Sequence, residues 1–253
     1  MATQLVTFER VGSVGRIELN RPDASNAVDL PTASSFGVAL ASAVEDPEVR
    51  VIVLTGAGKR FCAGGDVGSM ALADDRSAYL RDLAEALDGV LQQLAAIDMP
   101  VVVGVQGAVA GAGLAVMLSG DLVVAGESTR FVTAYAGVGL TPDCGLSWLL
   151  PRAVGHQRAA ELCLTGRALT ATQAQDWGMV TRVVDDAAVA DEAMALGEQL
   201  AQGPAYALGQ ARLLLREGWA RTRAEAGAVE SEVIATAVTT ADAQRLIDAF
   251  VGR

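Results

Sequence analysis

The chain has 253 residues, enough for one domain with a sizeable core and an appendage. Its formal net charge of −11 argues against nucleic acid as the main partner, and no apolar run reaches the ~18 residues of a membrane span. Three widely spaced cysteines and one histidine argue against a disulfide frame and against a Cys/His metal site.

Met1-Ala2-Thr3-Gln4 leads straight into a strand pattern, with neither a signal peptide nor an Arg-rich transit peptide, which points to the cytoplasm. Residues 5–11 and 14–19 read as a hairpin about Gly12-Ser13. A loop over 20–26 precedes a helix over 31–44, which Asp46-Pro47 ends. Residues 49–55 form a continuous apolar strand, the pattern of a parallel sheet covered on both faces. Leu80, Leu83, Leu87, Val90, Leu91 and Leu94 then mark an amphipathic helix, and Pro100 introduces a buried strand over 101–105. A Gly-rich loop leads to a helix through Leu118, and Asp121 opens a strand over 122–125. Strand, loop and helix recur about every 45–50 residues, a repeat whose crossovers imply parallel strands. Beyond Asp186 the pattern is helical, over 187–202, 205–217, 223–238 and 242–251. The expected division is a core over 1–195 and a helical appendage over 196–253. Hydrophobic residues make up 51% and mean hydropathy is +0.34, so some apolar surface is expected between subunits.

Two segments carry the chemistry. Arg60-Phe61-Cys62-Ala63-Gly64-Gly65-Asp66 and Gly107-Ala108-Val109-Ala110-Gly111-Ala112-Gly113 each put small residues between a strand and a helix. Small residues there expose backbone N–H groups where the helix dipole favours negative charge, and two such groups aimed at one point form an oxyanion hole. Other motifs fail on a residue each. Gly56-Ala57-Gly58-Lys59 is followed by Arg60 where a phosphate loop needs Ser or Thr, and Val116 replaces the third glycine of a dinucleotide fingerprint. Residues 145–149 lack the last glycine of a nucleophile elbow, and His156 reads as a capping or surface residue.

Phe-Cys-Ala-Gly-Gly-Asp, then Gly-Ala-Val-Ala-Gly-Ala-Gly, then Gly139-Leu140-Thr141-Pro142-Asp143-Cys144-Gly145 resembles the crotonase (enoyl-CoA hydratase/isomerase) superfamily. The run from Gly139 to Arg152 is similar to the phenylacetate-pathway isomerase subgroup, with Leu146 in place of a second glycine, a change expected to reshape the acyl pocket. The resemblance implies an α/β fold, a spiral of ββα repeats with a C-terminal helical trimerisation region, assembled as a homotrimer or dimer of trimers. It implies that Gly65 and Ala112 donate the oxyanion N–H groups. The two glutamates of the hydratases fall at Ala115 and Tyr135, so two-carboxylate hydration is not available. Asp143 stands where some isomerases keep a catalytic aspartate; its alternative is a cap for a helix over 145–150.

By the same resemblance, coenzyme A sits against the 20–26 loop, with Arg21 and Ala24, and against the backbone of Ala63. Arg21, Lys59 or Arg60 would meet its phosphates. Gly64, Asp66, Gly111, Tyr135 and Leu140 complete the expected substrate-contacting set. Many relatives continue past Phe250-Val251-Gly252-Arg253 with a basic tail that holds adenine, a contribution expected to be reduced here. The implied activity is isomerisation of an acyl-CoA thioester, with no metal and no cofactor beyond the coenzyme A of the substrate. A hydratase-like lyase relying on Asp143 alone, and a catalytically silent acyl-CoA-binding trimer, are the alternatives.

Overall fold

In β1 (Val6–Val11) and β2 (Val14–Leu19) only two residues, Gly12-Ser13, separate apolar-rich runs, and the strands pair antiparallel with Val11 opposite Val14. The computed structural model describes residues 4–252; Met1, Ala2 and Thr3, on which much of the leader reading falls, and Arg253 lie outside the described residues. α1 (Leu30–Glu45) starts where the Asp29 side chain accepts the Thr32 N–H, a conventional N-cap. β3 (Val51–Gly56), α2 (Val67–Leu72), α3 (Arg76–Ala96) and β4 (Val101–Val105) follow. Then come β5 (Ala108–Ala110), α4 (Ala112–Leu118), β6 (Leu122–Gly126) and β7 (Arg130–Val132). The chain continues through α5 (Leu146–Val154), α6 (His156–Thr165), β8 (Leu169–Thr170), α7 (Ala171–Asp176) and β9 (Arg182–Val184). It ends in α8 (Val189–Ala201), α9 (Ala205–Glu217), α10 (Arg223–Ala237) and α11 (Ala241–Val251).

One sheet runs β1-β2-β3-β4-β6-β9, parallel from β2 onward. Its central strands are apolar throughout because both faces are covered. Along β3, Ile52 and Leu54 point into the main core, and Val51 and Val53 into a second cluster with Ala193 and Leu196 of α8. A second sheet, β5-β7-β8, whose short strands the sequence does not single out, supplies the second strand layer that ββα repeats imply; single bridges Val28–Gly65 and Cys62–Val109 extend the same layer. Each unit therefore places one strand in the first sheet, turns, touches the second layer and departs as a helix, which is the ββα spiral. The repeat is uneven: β6 follows β4 much sooner than the earlier interval, because α4 has only 7 residues.

The division expected at 195/196 falls inside α8, whose buried face belongs to the core under the sheet. α9 is fastened to that core by Arg212, whose guanidinium donates to Asp121 Oδ2 at 2.6 Å and to the carbonyls of Leu94, Ala95 and Ile97. Arg216 adds two bonds to Asp121 Oδ1, at 2.8 and 2.9 Å. α10 and α11 bury no residue within this chain, and Leu246, Ile247, Phe250 and Val251 are exposed along α11. Among the described residues no helix is long and apolar enough to cross a membrane.

Candidate functional site

The two Gly-rich segments meet at the end of the sheet where β3 and β4 turn into the second layer. The Ala110 N–H donates to Cys62 O at 3.0 Å, and the Val28 N–H to Gly64 O at 2.8 Å. Only a glycine fits at position 64, which has φ 98° and where a Cβ would lie 2.9 Å from Ala110 O and 3.5 Å from Ala112 N. Gly113 is packed as tightly, with a Cβ position 2.5 Å from Cys62 O. The start of α4 is thus pressed against the Cys62–Gly65 strip with no side chain between them.

Among the described residues, neither the Gly65 N–H nor the Ala112 N–H has a hydrogen-bond partner, whereas their neighbours Asp66 and Gly111 donate to Val28 O and Val132 O. Both unpaired donors line one cavity of about 120 Å³. Val67, Met70, Leu80, Leu83, Val138 and Leu140 give that cavity an apolar lining. Asp143 is the one carboxylate on the lining. Unsatisfied N–H groups of this kind are costly in a folded chain unless a ligand oxygen or water meets them.

The Asp143 side chain does not cap a helix. α5 begins at Leu146 with Gly145 as its N-cap and no side-chain cap. Cys144 and Gly145 both have left-handed backbone, at φ 49° and 74°, which separates Asp143 from the helix start. Its carboxylate Oδ1 instead accepts the Tyr135 hydroxyl at 2.6 Å. Burial, and then the Asp143 charge, push the Tyr135 phenol far above its ordinary range, so it remains a proton donor. Burial also pushes the Cys144 thiol up and the Cys62 thiol up to about 11, leaving both as neutral packing groups.

Ala115 is wholly buried inside α4 and contributes no polar side chain, and among the described residues no second acid lines the cavity. Leu146 is also wholly buried in the main core and is not part of the cavity wall, so the expected reshaping of the acyl pocket does not come from direct contact.

The expected coenzyme A residues divide into two groups. Arg21 is turned inward, paired with Asp66 at 3.0 Å and Asp29 at 3.2 Å and bonded to Ala27 O. Asp66 in turn caps α2 by accepting the Ser69 N–H, a bond that together with Arg21 holds its carboxyl below the ordinary range. These two residues brace the first loop. At the rim, Arg60 reaches Ser25 Oγ at 2.8 Å and Lys59 is exposed. The Ala63 N–H is taken by Ser25 O, and Ala24 O accepts the Ala27 N–H, so of these two residues only Ala63 offers an uncommitted carbonyl. Gly64 and Gly111 line the cavity with Tyr135 and Leu140. The sequence marks position 135 as a lost glutamate and an expected substrate contact but gives no sign of its bond to Asp143; the residues lie eight apart in a segment without periodicity, and no local signal joins them.

The profile of a family described as Enoyl-CoA hydratase/isomerase matches residues 9–253. The chain is 35% identical over 241 residues to the 1,2-epoxyphenylacetyl-CoA isomerase of Escherichia coli strain K12, covering 94% of this chain and 91% of that one. It is 37% identical over 175 residues to the trans-2-decenoyl-[acyl-carrier-protein] isomerase of Streptococcus mutans, covering 68% and 66%. A crystal structure of an enoyl-CoA hydratase from Polaromonas sp. JS666 superposes with a TM-score of 0.93 at 30% identity, covering 98% and 96%.

Proposed function

This chain belongs to the enoyl-CoA hydratase/isomerase family, whose members act on acyl-CoA thioesters, and we propose that within it the protein is an enoyl-CoA isomerase. One observation carries the reading: a single carboxylate, Asp143, shares a cavity with two unpaired backbone donors, and among the described residues no second acid lines it to handle water. The thioester oxygen accepts hydrogen bonds from Gly65 and Ala112. As a proton leaves the carbon beside or vinylogous to the thioester, negative charge moves onto that oxygen, where the two donors stabilise it. Each such donor is worth roughly 3–4 kcal/mol. Asp143 takes the proton and returns it to another carbon of the same intermediate, so the double bond moves and the carboxylate is regenerated. The chemistry needs no metal and no cofactor beyond the coenzyme A carried by the substrate.

The cavity supports a compact acyl group. At about 120 Å³ it is close to the ~150 Å³ apolar cavity that accepts benzene. The similarity to a protein named for a phenylacetyl-CoA derivative agrees with that size. A ring-epoxide rearrangement would use the same oxyanion hole. Coenzyme A is proposed to lie along the Ser25–Arg60 rim, its adenine near the Ala63 carbonyl, with Arg21 and Asp66 holding the loop shape. The exposed apolar face of α11 and the unburied α10 support the proposed homotrimer or dimer of trimers.

The test is Asp143→Asn, assayed for conversion of 3-enoyl-CoA to 2-enoyl-CoA. The amide keeps size and can accept the Tyr135 hydroxyl bond. The variant is expected to fold, to bind a non-reactive CoA ester normally, and to lose at least ~10²-fold in kcat. Near-normal turnover would remove Asp143 from the mechanism. A 3-hydroxyacyl product from the parent protein would favour the lyase, and no product from any enoyl-CoA the silent binder.

A further inference from the structure

We infer that Tyr135 is the positioning residue for the base: its hydroxyl holds Oδ1 of Asp143 and leaves Oδ2 as the oxygen that exchanges a proton with the substrate. The inference rests on the proposed isomerase reading and adds a residue to the same site. The Tyr135 hydroxyl, at 2.6 Å, is the one O–H or N–H donor on the Asp143 side chain among the described residues, and the neighbouring Cys144 thiol, a weak donor, is the other polar group beside it. A carboxylate with one oxygen fixed and the other free has a defined direction for proton transfer; a carboxylate with neither fixed rotates.

Tyr135 is itself held on three sides. Its N–H donates to Thr133 O at 2.8 Å, and its carbonyl accepts the N–H groups of Val138 and Leu140, each at 3.0 Å. Those two bonds close the turn that brings the chain back toward Asp143. The phenol ring lies over Gly111, where a Cβ would sit 3.9 Å from Cζ. Gly111 immediately precedes the donor Ala112, so one side chain lies beside the oxyanion turn and bonds the base. Burial, and then the facing carboxylate, push the phenol far above its ordinary range and favour its protonated form. It therefore donates in one direction only, toward Oδ1.

Other ionisable groups near this pair are few. Cys144 is next in the chain, and its thiol faces the Ala84 carbonyl of α3 at 3.9 Å. Asp88 of α3 lies behind Gly145, with Oδ1 3.6 Å from that residue's Cβ position. The walls contributed by α2, by Leu80 and Leu83 of α3, and by the start of α4 present no titratable side chain to the cavity.

The test is Tyr135→Phe, which keeps the ring and removes only the donor. The donor fixes the direction of the carboxylate, so its loss leaves the base free to rotate away from the substrate. kcat near neutral pH is expected to fall about 10-fold with KM changed by less than about 2-fold, since the bond fixes the base and not the thioester. In the Asp143→Asn background, Tyr135→Phe should cost nothing more, because the two residues act as one unit. Replacing Tyr135 with 3-fluorotyrosine, which keeps both ring and donor, should hold kcat within about 2-fold of the parent, and it serves if the Phe variant does not fold. An unchanged kcat in Tyr135→Phe, a loss in the 3-fluorotyrosine protein as large as in Tyr135→Phe, or a further loss in the double variant overturns the assignment. Loss of activity in Asp143→Asn beside unchanged Tyr135→Phe kinetics would sink the Tyr135 inference alone; an active Asp143→Asn enzyme would sink the isomerase reading beneath it.

Discussion

Replacing Gly113 with alanine separates the two proposed oxyanion donors without touching either. The added Cβ would stand 2.5 Å from Cys62 O and 3.0 Å from Cys62 Cβ. Ordinary carbon–oxygen approaches are no closer than ~3.3 Å, so the start of α4 and the Cys62–Gly65 strip must part by about 0.8 Å. Both contacts are with backbone or Cβ, and no flexible side-chain end is available to yield. Each donor must lie 2.7–3.1 Å from the developing oxyanion, roughly speaking, so a parting of that size effectively removes one of them, about 10²–10³ in kcat. Overpacking itself costs about 1–3 kcal/mol of stability, which a 253-residue chain tolerates. The control is Gly89→Ala in the middle of α3, where a Cβ meets nothing within 4 Å and helix propensity favours alanine by up to ~1 kcal/mol. Stopped or steady-state assays of 3-enoyl-CoA isomerisation on both variants give the answer. Gly113→Ala should retain affinity for a CoA ester and lose turnover; Gly89→Ala should match the parent in rate and gain slightly in Tm. A folded Gly113→Ala enzyme with unchanged kcat would mean that the α4 start is not the second donor.

The absence of a carboxylate at Ala115 and Tyr135 predicts that crotonyl-CoA hydration is slower than in an efficient hydratase by roughly 10²–10⁴-fold for each missing acid–base group; hydration at an efficient enzyme's rate would contradict the single-base site. Asp121→Asn tests the fastening of α9. Arg212 is 5% exposed, and a neutral partner leaves its charge buried, a loss of about 3–5 kcal/mol when a buried pair is broken. The amide oxygen still accepts one bond, so the lower end is expected, a fall in Tm of roughly 6–12 °C by calorimetry. A change within about 2 °C would show that the network contributes little.

The legible parts of this protein are those where one residue type has one physical reason to be present. β4 reads directly as residues 101–105 because an unbroken valine-rich run between Pro100 and a glycine loop suits a strand covered on both faces. The helix starts at 66 and 112 read from their glycines, since only a missing Cβ lets the two loops touch. What was not legible depends on pairing between segments. β5, β7 and β8 have 3, 3 and 2 residues, too short to show a period, and they exist because the first sheet brings their ends together. Arg212 falls at a helical position where a charge reads as solvent-facing, yet it is buried because three carbonyls and Asp121 converge on it. α11 shows the reverse case: Leu246, Ile247, Phe250 and Val251 repeat at helical spacing and read as a face to be buried, while nothing among the described residues covers them. Periodicity specifies that a face is apolar and leaves its partner open. The Tyr135–Asp143 contact is of the same kind. It needs the left-handed pair at Cys144 and Gly145, the turn closed on Tyr135 O, and the gap over Gly111, three conditions carried by different segments and met only when the spiral closes.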